Sequence, residues 1–424
     1  MKLWQTTADT DKLIERFTIG QDAVLDMELA TYDVIGSKAH AKMLHKIDVI
    51  NTEELAKLLN ALDDILLDID NGKFVIDEGV EDIHSQVEFL LTERLGDIGK
   101  KIHAGRSRND QVLLDLKLYY RAKIDVFSEK LEAIAQAFVD KSERHKDVLM
   151  PGYTHMQVGM VSSFGLWFGS YAEAIVDDLR LLQSTRKLVN QNPLGSAAGY
   201  GNSFPLDRQE TTDLLDFDNM CYNSMYAQMT RGKTELLLSN SLSSICYTLH
   251  KFAMDVCLYC GQNHNFISLP DELTTGSSIM PHKKNPDVFE LIRAKSSQLM
   301  ALPNQITLIC HNLISGYHRD FQQLKEILFP AIHMLNELLD ICLYCIPKIE
   351  VKENILDDEK YNYLFSVEDV NRLVKKGLSF REAYKKIKFD IGLGTYEPNR
   401  HLDHTHIGSI GNLANTEILK KSSV

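Results

Sequence analysis

An all-α protein, with three mostly helical domains around a central bundle of long helices, is the fold class that three observations predict. Apolar residues recur at alternating four- and three-residue steps over long stretches, strand-type alternation is scarce, and no glycine-rich nucleotide turn follows a strand. The clearest series is Leu238, Leu242, Ile245, Leu249, Phe252, Val256 and Tyr259, the spacing of a helix buried along one seam. A second runs Leu113, Leu116, Tyr120, Ile124, Phe127, Leu131, Ile134, Phe138. A third runs Val288, Ile292, Leu299, Leu302, Ile306, Ile309, Leu313, broken at Lys295, and a fourth Leu328, Ile332, Leu335, Leu339, Cys342, Ile346. With a fifth stretch from Val161 to Val189, these predict a bundle of extended antiparallel helices over 106–350.

Before the bundle, residues 1–105 alternate shorter helical patterns with turns at Gly20, Gly36, Gly72 and Gly96, which predicts a separate N-terminal helical domain. After Pro347 the periodicity shortens, so 351–424 reads as a small C-terminal helical domain whose tail, from Asp390, is irregular: Gly392, Gly394, Pro398, Gly408 and Gly411 interrupt it. Several long helices are apolar on more than one face, so other copies of the chain are expected to cover them.

A chain of 424 residues that is 44% hydrophobic can bury a sizeable core. Its net charge of −13 argues against a nucleic-acid or anionic-membrane partner, since both need clustered positive charge. No apolar run of membrane-spanning length stands out, and Met1 to Thr10 lacks the pattern of a secretory signal, so a cytoplasmic location is expected. The seven cysteines fit reduced thiols. Two Cys-x-x-Cys pairs, Cys257/Cys260 and Cys342/Cys345, have a spacing that zinc sites use, but both lie in apolar helical patterns where cysteine is an ordinary core residue.

Chemistry concentrates in TTGSSIMPHKKNPDVFE, Thr274 to Glu290. Its glycine, paired serines and proline place it outside helix geometry, with a helix resuming from about Asp287. It offers hydroxyls at Ser277 and Ser278, cations at Lys283 and Lys284, the Asn285 amide and the Glu290 carboxylate. Such a set suits removal of a weakly acidic proton beside a carboxylate, because the resulting aci-carboxylate needs cations and donors already in place. A mobile surface loop with solvated lysines is the bland alternative.

This segment resembles the signature of the fumarase/aspartase superfamily, and within it the argininosuccinate lyase form, with His282 where that family usually has Gln. Further stretches resemble the same family: YDVIGSKAHAKML from Tyr32, EDIH from Glu81, GDIG from Gly96, GRSRNDQV from Gly105, PGYTHMQ from Pro151 and YHRDFQQLKE from Tyr317. The likeness covers about 20–385. It implies cleavage of argininosuccinate to arginine and fumarate by β-elimination, in arginine biosynthesis, with no metal or organic cofactor, in a homotetramer whose active sites are each assembled from three chains.

Position by position, the resemblance implies Ser277 as general base. Lys283 with the loop amides would stabilise its alkoxide, and Lys283 and Asn285 would hold the substrate carboxylate. His155 would be the acid toward the departing nitrogen, assisted by Thr154 and oriented by Glu290. Substrate contacts would fall on Asp26, Ser107, Arg108, Asn109, Thr154, Asn285, Tyr317, Gln322 and Lys325. Taken singly these have plainer readings: Arg106 and Arg108 could pair with Asp110 at a helix start, and Tyr317 could be packing. His84 is an intermediate case that could line the site.

The chain departs from the family pattern in places. The N-terminal motif is reduced to Leu3-Trp4, the family serine four positions before the aspartate falls on Asp22, and an SDRD run appears as Met229-Thr230-Arg231-Gly232. The C-terminal part beyond Lys385 is also dissimilar. Rival readings are another lyase of the superfamily, such as one for adenylosuccinate, and a non-catalytic structural protein of the delta-crystallin kind. The latter would be free to lose Ser277, His155, Lys283 and Glu290, all of which are present.

Overall fold

The computed structural model describes residues 12–77 and 79–423, so Leu3 and Trp4 lie outside the described residues. Helices dominate: α1 (Lys12–Ile19), α2 (Ala30–Lys46), α3 (Thr52–Asp70), α4 (Ile83–Leu95), α5 (Arg108–Arg144), α6 (Phe164–Val189), α7 (Ser224–Cys260), α8 (Asp287–Met300), α9 (Leu302–Cys310), α10 (Gln323–Cys345), α11 (Ser366–Lys375) and α12 (Phe380–Gly392). The fold is all-α, as the periodicity predicts. The third apolar stripe is divided between α8 and α9 at Ala301, just before Pro303, which lacks the N–H that a continuous helix would use.

One piece of regular β structure escaped the sequence reading. Strands β1 (Leu149–Thr154) and β2 (Gln157–Ser163) form an antiparallel hairpin, with Thr154 opposite Gln157 and a bulge at Gly152/Tyr153. Its two-residue turn is His155-Met156, both with positive φ (55° and 60°). Left-handed backbone at both positions suits the twist of flanking strands, but the usual sequence signal for it is Asn-Gly.

The chain divides into two compact units, and the boundaries fall inside long helices. The first comprises the stretch up to Phe127, Leu181–Ser243 and Leu299–Leu335; the second comprises Ser128–Arg180, Ser244–Gln298 and Asn336–Val424. In the first, α2, α3 and α4 bury Val34, Leu44, Leu58, Leu62, Ile65, Ile83 and Leu91 in one apolar cluster. Each such side chain contributes roughly 1.5–3 kcal/mol by leaving water. α3 starts at a capping box: the Asn51 side chain accepts from the Glu54 N–H (2.9 Å) and Glu54 accepts from the Asn51 N–H (3.0 Å).

The second unit is organised by aromatic rings. Phe252 meets Phe138 edge-on at 4.9 Å and Phe289 at 6.0 Å, while Trp167 tilts against Phe168 at 4.6 Å. Burial raises the thiols of Cys260 to about 12 and Cys345 to about 11, which disfavours the thiolate that zinc would require. The stretch Arg319–Lys348 is long and apolar enough, with mean hydropathy 1.4, to cross a membrane by length and composition. Leu324, Leu328, Phe329, Ile332 and Leu335 along it are fully buried in the fold, and Lys325 is ion-paired, so it reads as a core helix.

Within α7 the helix is interrupted at Arg231 (φ −64°, ψ 133°) and Gly232 (φ 80°, ψ −45°). A Cβ at 232 would stand 2.6 Å from Cys310 Sγ, so both the backbone angle and the space demand glycine. Glu235 accepts from the freed Gly232 N–H at 2.7 Å and forms an ion pair with the Arg231 guanidinium, whose Nε lies 3.1 Å away.

Candidate active site

A cavity of about 220 Å³ in the first unit gathers Asp26, Arg108, Asn109, Tyr317, Gln322 and Lys325, six of the sequence-predicted contacts, together with Asp22, His84 and Arg231. Its centre is Lys325, from the first turn of α10. The ammonium lies 2.5 Å from Asp26 and 2.7 Å from Asp22, and the lysine side chain is only 4% exposed. Burial alone would push the lysine pKa down, but the two carboxylates outweigh it and the value is raised. Burial raises the Asp22 carboxyl, with Asp26 adding to the effect and Lys325 opposing it.

The walls are held by charged pairs. Arg108 Nη1 is 3.0 Å from Glu81 and 3.3 Å from Asp82, and Nη2 donates to Ser85 Oγ at 2.5 Å. Arg319 donates to the Thr18 carbonyl and to Glu81 (2.8 and 2.9 Å). Gln322 spends its amide on the Thr18 and Ile19 carbonyls (3.1 and 2.7 Å), tying down the segment that leads to Asp22. Asp110 does not pair with Arg108. It accepts from the N–H groups of Ser107 (2.8 Å), Gly195 (3.0 Å) and Ala197 (2.8 Å), and burial raises it to about 6. Ser107 accepts from the Asn109 N–H at 3.3 Å, a helix-start contact.

At the cavity wall His84 Nδ1 bonds Asp33 at 2.7 Å and lies 3.5 Å from Asp115, all three buried. Burial opposes the imidazolium, but Asp33 first, then Asp115 and Asp82, raise His84 to about 9. These donor atoms lie within 4.8 Å of one another, close enough for a metal ion. Nδ1 is already engaged with Asp33, while Asp33 Oδ2 and Asp115 Oδ2 are buried without a hydrogen-bond partner.

The other predicted residues belong to the second unit. The serine loop is closed at its base by a backbone pair, Thr275 N–H to Asn285 O (3.2 Å) and Asn285 N–H to Thr275 O (2.8 Å). Ser277 Oγ accepts from the Met280 N–H at 3.1 Å and more weakly from Ile279 at 3.4 Å. Lys283 is exposed, whereas Lys284 is paired with Asp271. Glu290, on the first turn of α8, has Arg293 at 3.9 Å. His155 stands exposed at the hairpin tip beside exposed Thr154, and among the described residues no hydrogen bond joins it to Glu290. The orienting contact expected between the two is therefore not made within this chain.

The sequence reading missed Arg319, although it sits inside the YHRDFQQLKE motif, and gave no role to Glu81 or Asp82. A family profile described as Lyase matches residues 5–301. The argininosuccinate lyase of Bacteroides fragilis is 56% identical over 98% of this chain and 93% of its own length; that of Bacteroides thetaiotaomicron is 55% identical over 98% and 94%. This chain belongs to the argininosuccinate lyase family.

Its reach within the family extends to the argininosuccinate lyase of Thermotoga neapolitana, 38% identical over 91% of this chain and 97% of that protein. Among solved structures, EDDS lyase in complex with formate matches with TM-score 0.77 at 21% identity, covering 99% of this chain and 90% of that one. A fumarate lyase:delta crystallin from Brucella melitensis, bound to cobalt, matches with TM-score 0.74 at 18% identity, covering 97% and 93%. These two likenesses show the shared helical fold. Against the family pattern, one of this lyase's departures lies in the cavity: Asp22 stands on Lys325, while Arg231, the residue kept from the altered run, is buried against Glu235.

Proposed function

We propose that this argininosuccinate lyase uses Ser277 as its general base and His155 as its general acid. Ser277 Oγ takes the proton from the substrate carbon next to a carboxylate, leaving a carbanion delocalised into that carboxylate. Collapse of the carbanion expels the guanidino nitrogen of the neighbouring carbon, which receives a proton from His155. The products are fumarate and arginine. Lys283 and the Asn285 amide meet the growing carboxylate charge, Thr154 assists at the leaving group, and Glu290 polarises the acid.

One observation carries the base assignment: Ser277 Oγ accepts from two backbone amides, so the turn already favours the alkoxide that a serine base must become. The ion-paired cavity around Lys325 suits the zwitterionic head of the arginine portion, because it offers carboxylates and guanidinium groups side by side. Asp26, Arg108, Asn109, Tyr317, Gln322 and Lys325 form this binding wall, and Ser107 supports Asn109. His155 and Glu290, which do not meet within one chain, fit a homotetramer in which copies complete each other's sites. A cytoplasmic location follows from the metabolic role.

The test is purified protein with argininosuccinate, adenylosuccinate and aspartate, reading fumarate by ultraviolet absorbance. Turnover of argininosuccinate alone is expected, and turnover of adenylosuccinate alone would overturn the reading. Sedimentation checks the assembly; a stable, active monomer contradicts shared sites.

A further inference from the structure

The charges of the Lys325 cavity do not balance at one end. Glu81 and Asp82 face Arg108 and Arg319, and Arg231 faces Glu235. Lys325 alone faces two carboxylates, Asp22 and Asp26. All three side chains are shielded, with exposures of 4%, 16% and 2% in that order. The Lys325 cluster therefore has one more carboxylate than ammonium in a largely shielded place. Asp26 has a second partner in the Ile83 N–H at 3.4 Å, whereas Asp22 Oδ1, although 2.7 Å from the ammonium, has no aligned hydrogen bond.

A buried surplus charge is unfavourable until a cation arrives. With the family's serine at position 22, Lys325 and Asp26 would cancel, and the carboxylate left over for an incoming ammonium would be gone. Aspartate there adds a carboxylate that has no ammonium of its own. We infer that Asp22 is a specificity residue that makes this enzyme select substrate with a free α-ammonium and reject Nα-acylated forms.

The inference rests on the argininosuccinate reading above, with the amino-acid head in this cavity. An α-ammonium brings one positive charge and three donors to the surplus carboxylate. Acylation removes the charge, leaves one donor and adds bulk to a cavity of about 220 Å³. A charge-assisted hydrogen bond of this kind is worth roughly tenfold to a hundredfold in affinity.

The experiment compares kcat/KM for argininosuccinate and its Nα-acetyl derivative in the full-length wild type, Asp22→Asn and Asp22→Ser. The wild type should favour the free amine by about a hundredfold or more, and both variants should narrow that ratio by about tenfold or more, through KM for the free amine. Calorimetry with arginine and Nα-acetylarginine gives a second reading that needs no turnover, with the same narrowing expected. A wild type that accepts both forms within threefold, or variants that keep the wild-type ratio in turnover and calorimetry, would overturn the assignment. A wild type that binds arginine selectively but releases no fumarate from argininosuccinate would instead sink the proposed function and leave the role of Asp22 standing.

Discussion

In the first unit Lys325, Asp22 and Asp26 are fixed by side-chain ion pairs with little water around them, whereas in the second unit Ser277, Lys283 and Asn285 ride on an exposed loop closed by two backbone hydrogen bonds. The first arrangement is ion-paired before any ligand arrives, and its charges are bound up with folding. The second leaves its reactive groups outside the core, so they can be changed without unfolding the chain. On the proposed reading, binding and chemistry thus draw on different stabilising forces, and substitutions should separate them.

The largest effect is expected from Ser277→Ala. If Ser277 is the base as proposed, the proton has no acceptor without the hydroxyl, so fumarate release should fall by about a thousandfold or more, while the denaturant midpoint stays close to that of the wild type. Retained turnover would remove the base. The mirror experiment is Lys325→Met, which strands the buried Asp26 and the partly buried Asp22 and should destabilise the fold by about 3–5 kcal/mol in urea titrations. The exposed Lys283→Met should leave stability almost unchanged while lowering kcat about a hundredfold. If the two lysine variants lost similar stability, the contrast between the units would fail.

A smaller effect separates the units by pH. His84 is raised from 6.5 to about 9 in the fold, so its contribution to stability is full below about pH 6.5 and fades as pH rises through 9. Unfolding measured from pH 6 to 10 should show this decline, worth a few kcal/mol at most, and His84→Asn should flatten it. An unchanged slope in the variant would mean that the Asp33–His84–Asp115 cluster does not hold the proton.

Much of this was readable from residues alone. The long helices announced themselves because a buried seam must repeat with the helical period, and the serine loop because glycine, paired serines and proline cannot continue a helix. Lys325, Asp26 and Arg108 were placed in the site through the motifs around them. Their partners were not legible: Lys325 meets carboxylates about three hundred positions away, and no local pattern encodes such a pair. The kink at Arg231-Gly232 is set by the packing of Cys310 against Gly232. The hairpin hid because its turn is built from His155-Met156, residues that seldom accept left-handed backbone.

That turn supplies the smallest and sharpest test. Met156 is held at φ 60° and its side chain is exposed, so nothing it touches explains the conformation. Left-handed backbone disfavours a non-glycine residue by about 1–2 kcal/mol. Replacing it by glycine removes that strain but gives the unfolded chain more freedom, worth about 0.5–1 kcal/mol in the other direction. Met156→Gly should therefore stabilise the protein by about 0.5 kcal/mol in urea titrations. Thr154 and Gln157 still pair across the turn, so His155 keeps its place and fumarate release should stay within about threefold of wild type. A large loss of kcat with stability gained would show that methionine at the tip is what holds His155 in its working orientation, and that strain on the exposed side does for the acid what ion pairs do for the buried cavity.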